Sequence, residues 1–209
     1  SGVQPASLTD GSTTFTNVPN YNVFSVTAAS WKVRFIAANY VTVEALVNIQ
    51  ANATTTLDII AMVPGSHAPA TVSGRALSAM NNLGIGGLTV RLREGVNVTS
   101  GPYIGNAVTT GSDGSYALPS VPGGNYTMEV SGSGYATTYR TVVSAGTDTP
   151  PNQNILVSPV LGADEVRIVL SWNEKPRDLD SHLEYGSVRP NQVVWNDKCQ
   201  LPDTNIKSP

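Results

Sequence analysis

The chain has little cysteine, little charge and no long apolar run, and each shortage excludes a class of protein. Cys199 is the only cysteine among 209 residues, so no disulfide can form within the chain. Charged residues make up 13% of the sequence and the formal net charge is −3, which gives no positive field for nucleic acid. No apolar run is long enough to span a bilayer. We therefore predict neither a nucleic-acid partner nor a membrane span.

The sequence is rich in residues that form turns and short strands. It contains 19 Gly and 14 Pro, and Ser and Thr are abundant. This composition is typical of many short strands joined by tight turns, and it leaves few residues for surface helices. The length allows two small domains or slightly more, whose cores need no metal or disulfide. The sequence thus predicts an all-β protein without a cofactor.

Three Asn-x-Ser/Thr sequons occur, at Asn52, Asn97 and Asn125. The chain opens Ser1-Gly2 without an initiator Met, so we expect that a leader was removed or that the chain was trimmed. Together with the composition, the sequons predict an extracellular protein, secreted or at the cell surface, that carries covalent glycans.

Residues 113–130 organise the rest of the pattern. Asp113-Gly114 is a strong turn dipeptide, and Pro122-Gly123-Gly124 forms a second corner. After this corner, apolar Tyr126, Met128 and Val130 alternate with polar Thr127 and Glu129. The alternation predicts a half-buried strand.

The same spacing occurs once more near the start of the chain. Asp10-Gly11-Ser12 precedes Val18-Pro19 as Asp113-Gly114-Ser115 precedes Val121-Pro122, and Asn22 corresponds to Asn125. We interpret this as one structural unit used twice. Between the two copies, residues of period 2 predict strands at Phe24–Val26, Trp31–Phe35, Val41–Ile49 and Leu57–Val63.

A complete module follows the Pro-rich linker at residues 64–69. It contains Val72-Ser73-Gly74-Arg75-Ala76, Leu88-Thr89-Val90-Arg91-Leu92, Thr109 to Tyr116, Val121 to Tyr126, and Gly134-Tyr135. In this order, over about residues 70–158, these segments resemble the carboxypeptidase regulatory-like family. The resemblance implies a seven-stranded, prealbumin-like β-sandwich, which in such proteins is usually a non-catalytic spacer.

The last segment resembles the opening of a different, bacterial-type surface-protein domain. A strand at Val166–Trp172 is followed by Asp178-Leu179-Asp180-Ser181-His182. We therefore predict tandem prealbumin-like or Ig-like sandwiches, the first and last incomplete: a partial sandwich at residues 1–65, a complete one at 66–162, and the opening strands of a third domain at 163–209. Cysteine pairs are usual in the domain type that the tail resembles. Cys199 is thus either a free buried thiol or, as we favour, the partner of a cysteine outside the chain.

Residues with possible chemistry are few. Asp178, Asp180 and His182 share one face of an extended segment and are weak candidates for a metal site, although capping of local backbone groups explains them more simply. His67 is predicted to be solvated in the linker. Gly84-Ile85-Gly86-Gly87 lacks the helix and lysine of a phosphate loop, which favours a turn between strands. We expect no enzymatic activity.

The tyrosines allow two readings. Tyr103, Tyr116, Tyr126, Tyr135 and Tyr139 could form a sugar-binding platform, but alternation favours core or edge positions for most of them.

The incomplete sandwiches lead to a hypothesis about assembly. A half-sandwich exposes an apolar face and open strand edges. Strands at the tail could complete the sheet of residues 9–63 in the next copy through Val166, Ile168, Leu170, Trp172, Val193 and Trp195. A head-to-tail contact of this kind, which does not close on itself, produces a filament. The first alternative is a spacer fragment of a tandem-module adhesin, and the second is a carbohydrate-binding accessory module.

Overall fold

The computed structural model describes residues 27–53, 55, 61–163 and 165, together with the backbone of four short strands at residues 7–9, 14–16, 183–184 and 192–193. These parts contain strands and one 3₁₀ turn but no α-helix, so the predicted all-β class is confirmed. None of the described elements is a helix with the length and hydropathy needed to cross a membrane.

The chain divides into two compact units, residues 1–163 and residues 164–209. The first unit includes both the residues predicted as a partial sandwich and the complete module. The predicted division of this unit at residue 65, and its origin in a repeated unit, stay predictions.

The first unit begins with two short hairpins. Strands β1 (Ser7–Thr9) and β2 (Thr14–Thr16) pair antiparallel. Strands β3 (Ala29–Phe35) and β4 (Val43–Ile49) form a second antiparallel pair in which Trp31 lies opposite Val47. The alternating apolar residues of this pair point to one side, where Trp31, Phe35, Val43, Ala45 and Val47 are buried, whereas Leu46 points to the other side.

Only part of the strand predicted at Leu57–Val63 can be compared with the structure. Residues 57–60 lie outside the described part of the chain, and residues 61–63 are not in a strand. Within residues 61–63, the strand prediction is therefore wrong. Ala61 hydrogen-bonds to a side chain of the following module instead of to a neighbouring strand.

Seven strands and one 3₁₀ turn build the module that follows. They are β5 (Ala70–Ser78), β6 (Thr89–Glu94), β7 (Ile104–Thr109), β8 (Ser115–Val121), β9 (Gly124–Gly132), β10 (Tyr135–Ser144), η1 (Gly146–Asp148) and β11 (Ile155–Val157). One sheet has four strands in the order β10-β9-β6-β7 and the other has three in the order β11-β5-β8. Neighbours are antiparallel except for β11 and β5, which run parallel. This is the seven-stranded sandwich that the resemblance implied.

The core lies between these two sheets. It is formed by Val72, Ala76, Leu88, Val90, Leu92, Tyr116, Leu118, Val121, Tyr126, Met128, Val130, Val142, Ile155 and Val157. Period-2 alternation brings these side chains to the inner faces of both sheets.

The predicted corner at Pro122-Gly123 connects the two layers. Strand β8 belongs to the three-stranded sheet and β9 to the four-stranded sheet, so the chain crosses the core at this point. The Tyr126 hydroxyl donates to the carbonyl oxygen of Pro122 at 2.9 Å and holds the corner. Burial raises the pKa of Tyr126 to about 12.

A buried glutamine also joins the layers. The side chain of Gln153 accepts from the Val143 N–H at 2.8 Å and donates to the Val143 carbonyl at 2.9 Å, while its backbone carbonyl accepts from the Tyr116 hydroxyl. Gln153 is 6% exposed, so these partners replace water for its polar groups.

Apart from Glu165, the second unit is described only at two short strands. Strands β12 (Leu183–Glu184) and β13 (Gln192–Val193) pair antiparallel, with Leu183 opposite Val193.

Candidate functional site on the outer sheet face

The four-stranded sheet carries a group of charged and aromatic residues on the face away from the core. Met128 and Val130 point inward from β9, so Glu129 points outward. The register places Arg91 of β6 and Tyr139 of β10 on either side of Glu129 in one row. Together with Arg93 and Tyr103, these residues are called the arginine–tyrosine cluster below.

Glu129 is the centre of the cluster. Its Oε2 accepts a hydrogen bond from Arg93 Nη1 at 2.5 Å, and its Oε1 accepts one from the Tyr103 hydroxyl at 2.8 Å. Arg93 also donates from Nε to the Gly101 carbonyl at 3.2 Å. Arg93 and Glu129 are only 6% and 7% exposed, so this is a buried ion pair whose partners also have neutral hydrogen bonds.

Two arginines lie over one tyrosine ring. The Cζ atoms of Arg93 and Arg91 are 4.0 Å and 4.8 Å from the centroid of the Tyr103 ring, which are cation–π distances. Tyr103 and Tyr139 remain 39% and 41% exposed. The cluster therefore presents two aromatic surfaces and one half-buried guanidinium to solvent.

The ion pair sets the ionisation of Glu129. Burial alone would raise the pKa of the Glu129 carboxyl, but the hydrogen bonds from Arg93 and Tyr103 and the charge of Arg93 outweigh it and lower the pKa below its ordinary value of 4.5. Glu129 is thus a carboxylate at neutral pH.

The lowered pKa of Glu129 makes the free energy of unfolding depend on pH. Because the folded-state pKa lies below the unfolded one, the contribution of Glu129 is complete above about pH 4.5 and is lost as the pH falls through the folded-state pKa. We expect the free energy of unfolding of the wild type to fall more steeply than that of Glu129→Gln between about pH 4.5 and about pH 2. Denaturant unfolding of both proteins across this pH range tests the prediction. Parallel curves of unfolding free energy against pH for the two proteins would contradict it.

A second feature of the unit is the contact between the β3–β4 hairpin and the sandwich, called the junction below. Leu46 N–H donates to the Val96 carbonyl at 2.9 Å, and Val96 N–H donates to the Glu44 carbonyl at 2.8 Å, so residues 44–46 and 96 pair like parallel strands. Phe35, Val43, Ala45 and Val96 form a small core beside this pairing.

Asn125 completes the junction from the sandwich side. Its Nδ2 donates to the Ala61 carbonyl at 2.6 Å and its Oδ1 accepts from the Ala61 N–H at 3.1 Å. Asn125 is 3% exposed. Both hydrogen-bonding groups of the amide are therefore occupied in the interior of the unit.

This geometry bears on one predicted glycosylation site. Nδ2 of Asn125 is buried and bonded to the Ala61 carbonyl, so a glycan on it requires this contact of the junction to open, and glycosylation of this sequon stays a prediction. Asn52 and Asn97 are exposed, and for them glycosylation stays a prediction.

The structure separates the five tyrosines into two groups. Tyr116 and Tyr126 are buried core residues, and Tyr135 packs against the same core. Tyr103 and Tyr139 lie outside the core and meet through Glu129. His67 is half-buried rather than solvated, with Nε2 at 3.9 Å from Asp148 Oδ2, because the linker folds back onto the sandwich.

Other predicted site residues lie outside the described part of the chain. These are the metal candidates Asp178, Asp180 and His182, the assembly residues Val166, Ile168, Leu170, Trp172 and Trp195, and Cys199. Val193 is described only as backbone, paired with Leu183. In the described residues, no group of three or more His, Cys, Asp or Glu side chains is placed to hold a metal ion.

Sequence reasoning missed Arg91, Arg93 and Glu129 as members of one cluster. The alternation in residues 88–93 shows that β6 has a basic face, but it does not show what lies beside that face. Only the pairing of β6 with β9 brings Arg91 and Arg93 to Glu129.

The comparison with known protein families agrees with the observed sandwich. The comparisons with curated proteins and with solved structures add little to it. No curated protein matches the chain. One solved structure, titled "Structure of the Streptococcal ancillary pilin", is 14% identical and gives a TM-score of 0.35 over 65% of this chain and 43% of that chain. The chain thus spans less than half the length of that pilin chain. Residues 71–158 match the carboxypeptidase regulatory-like domain family, so the seven-stranded sandwich is a carboxypeptidase regulatory-like domain.

Proposed function

We propose that this chain is a non-catalytic structural part of an extracellular filament or surface stalk. The observation that carries the proposal is the junction, in which the β3–β4 hairpin and Ala61 contact the carboxypeptidase regulatory-like domain through hydrogen bonds and a small core. A stalk must keep its successive parts at a fixed spacing, and this requires contacts that resist bending between them.

The junction has the properties that such a role requires. Backbone hydrogen bonds between residues 44–46 and Val96 fix the register, and the Asn125 amide fixes Ala61. The small core at Ala45 and Val96, both fully buried, excludes water from the pairing. A linker of Pro, Gly and Ser alone would leave the two parts free to swing.

A substitution at Ala45 tests the junction. Ala45→Asp places a carboxylate at a fully buried position without a partner, which costs roughly 3 kcal/mol or more. We expect amide hydrogen exchange in residues 29–49 to accelerate about 100-fold while residues 70–157 keep their protection.

Leu46→Asp is the matched control for that experiment. Leu46 is adjacent, 36% exposed, and points to the other side of β4, so the same charge is solvated there. Equal exchange in the two variants would contradict the proposed role of the junction core.

We further propose that copies assemble head to tail by strand complementation, with the tail strands of one copy completing the sheet of residues 9–63 in the next. The apolar alternation of residues 166–172 supports this proposal. Sedimentation of the purified chain should show polymers that grow with concentration. A folded monomer at high concentration would contradict the assembly and leave the junction unaffected.

A spacer within a long tandem-module adhesin is the alternative form of the same structural role. In that case the missing half-domains belong to the same polypeptide, and the mass of the native protein far exceeds that of 209 residues plus glycans. A native mass close to that of this chain would support the filament subunit instead.

A further inference from the structure

One guanidinium of the arginine–tyrosine cluster has no carboxylate partner among the described residues. Glu129 is engaged by Arg93 and Tyr103, and Arg91 forms none of the ion pairs found in the part of the chain that the structure describes. Arg91 instead lies over the Tyr103 ring, which holds its planar group in place. A fixed, half-buried guanidinium is prepared for a two-point contact with a carboxylate.

The face beside Arg91 is open to a ligand. On the neighbouring strand β7, Gly105 and Ala107 are exposed and small, and among the described residues no atom lies within 4 Å of the position where a Gly105 side chain would begin. On the other side, Tyr139 stands two strands away in the same row as Arg91. With strands about 4.8 Å apart, the charge and the second aromatic surface are about 10 Å apart.

This arrangement favours one class of ligand. A polyanion such as nucleic acid or a highly acidic peptide needs several unpaired cations, whereas Arg93 is already neutralised by Glu129. A ligand with one carboxylate and a nearby ring face fits better, because the carboxylate pairs with Arg91 and the apolar C–H face of a sugar ring packs on an exposed tyrosine.

We propose that the arginine–tyrosine cluster is a binding site for carboxylated saccharides, in which Arg91 binds the carboxylate and Tyr139 packs against a neighbouring sugar ring. Glu129, Arg93 and Tyr103 are positioning residues: their buried hydrogen bonds fix the ring on which Arg91 lies. This site is independent of the proposed structural role.

Calorimetric and NMR titration of the full chain tests the site with two matched pairs of probes. One pair is trigalacturonate and its methyl ester, and the other is 3′-sialyllactose and lactose. We expect the acidic member of at least one pair to bind about tenfold more tightly than its neutral counterpart, since charge-assisted contacts are lost in the neutral one. The pair that shows the difference identifies a uronate or a sialate as the preferred source of the carboxylate.

Three variants show which residues cause the binding and the preference for the acidic probe. Arg91→Ala should abolish the preference for the acidic probe, and Tyr139→Ala should weaken acidic and neutral probes alike. Arg140→Ala is the control, because it removes the same charge from the adjacent position of β10, whose side chain points to the other side of the sheet. Binding of none of the probes at millimolar concentration, or a preference that survives Arg91→Ala, would overturn the proposal.

Discussion

Replacing Gly84 by alanine should cost roughly 4 kcal/mol in the free energy of unfolding, a large loss for the addition of one methyl group. A Cβ atom at Gly84 would lie 1.8 Å from the Asp113 carbonyl oxygen and 2.9 Å from the Gly114 nitrogen, so backbone atoms would have to move. The displaced segment is the Asp113-Gly114 turn, whose Asp113 carbonyl also accepts hydrogen bonds from the Arg75 guanidinium. Denaturant unfolding of the purified variant measures the loss.

Gly87→Ala is the matched control for Gly84→Ala. Gly87 has a positive φ of 80°, but no atom of the described part of the chain lies within 4 Å of its Cβ position, so only backbone strain of about 1 kcal/mol is expected. Equal losses in the two variants would show that the contact between Gly84 and the Asp113-Gly114 turn does not determine the stability of this end of the sandwich.

Arg93→Ala should cost about 3 kcal/mol, because it leaves the buried Glu129 carboxylate with a hydroxyl partner but no counter-charge. Arg91→Ala removes the same group two residues away, where the described residues form no ion pair, and should cost less than about 1 kcal/mol. Thermal or denaturant unfolding of both variants at neutral pH provides the comparison.

The double variant Arg93→Ala/Glu129→Ala separates the two explanations for that loss. If the cost comes from an unpaired charge, removing Glu129 as well should restore part of the stability, and the two changes will be far from additive. Additive losses would mean that Arg93 acts only through packing, as an arginine stem on an apolar surface can.

The sequence predicted which side of most strands faces the core, because period-2 alternation follows directly from strand geometry. The alternating residues Val43, Ala45 and Val47 of β4 and the core residues of β9 lie where the alternation placed them. The turns at Asp113-Gly114 and Pro122-Gly123 were also predictable, since few residue types tolerate the backbone conformations of tight turns.

Strand β9 shows the limit of what the alternation of apolar and polar residues can predict. We expected it to be half-buried with Thr127 and Glu129 in solvent, and this expectation is wrong: their exposures are 1% and 7%. Alternation shows the direction of a side chain but not what covers it. Here Arg93 reaches over from β6 to Glu129, and the Thr127 hydroxyl donates to the Gly95 carbonyl at 2.8 Å.

By itself, the sequence determined the all-β class, the turns and the inward face of the strands, because each depends on residues a few positions apart. Only the tertiary structure decided that β8 and β9 belong to different sheets, that Val96 pairs with β4, and that Arg93 meets Glu129. The contacts of Val96 and Arg93 join residues that are 36 to 52 positions apart, and the sheet to which a strand belongs depends on which strands become its neighbours. A local sequence pattern contains no information about distant partners or about strand order.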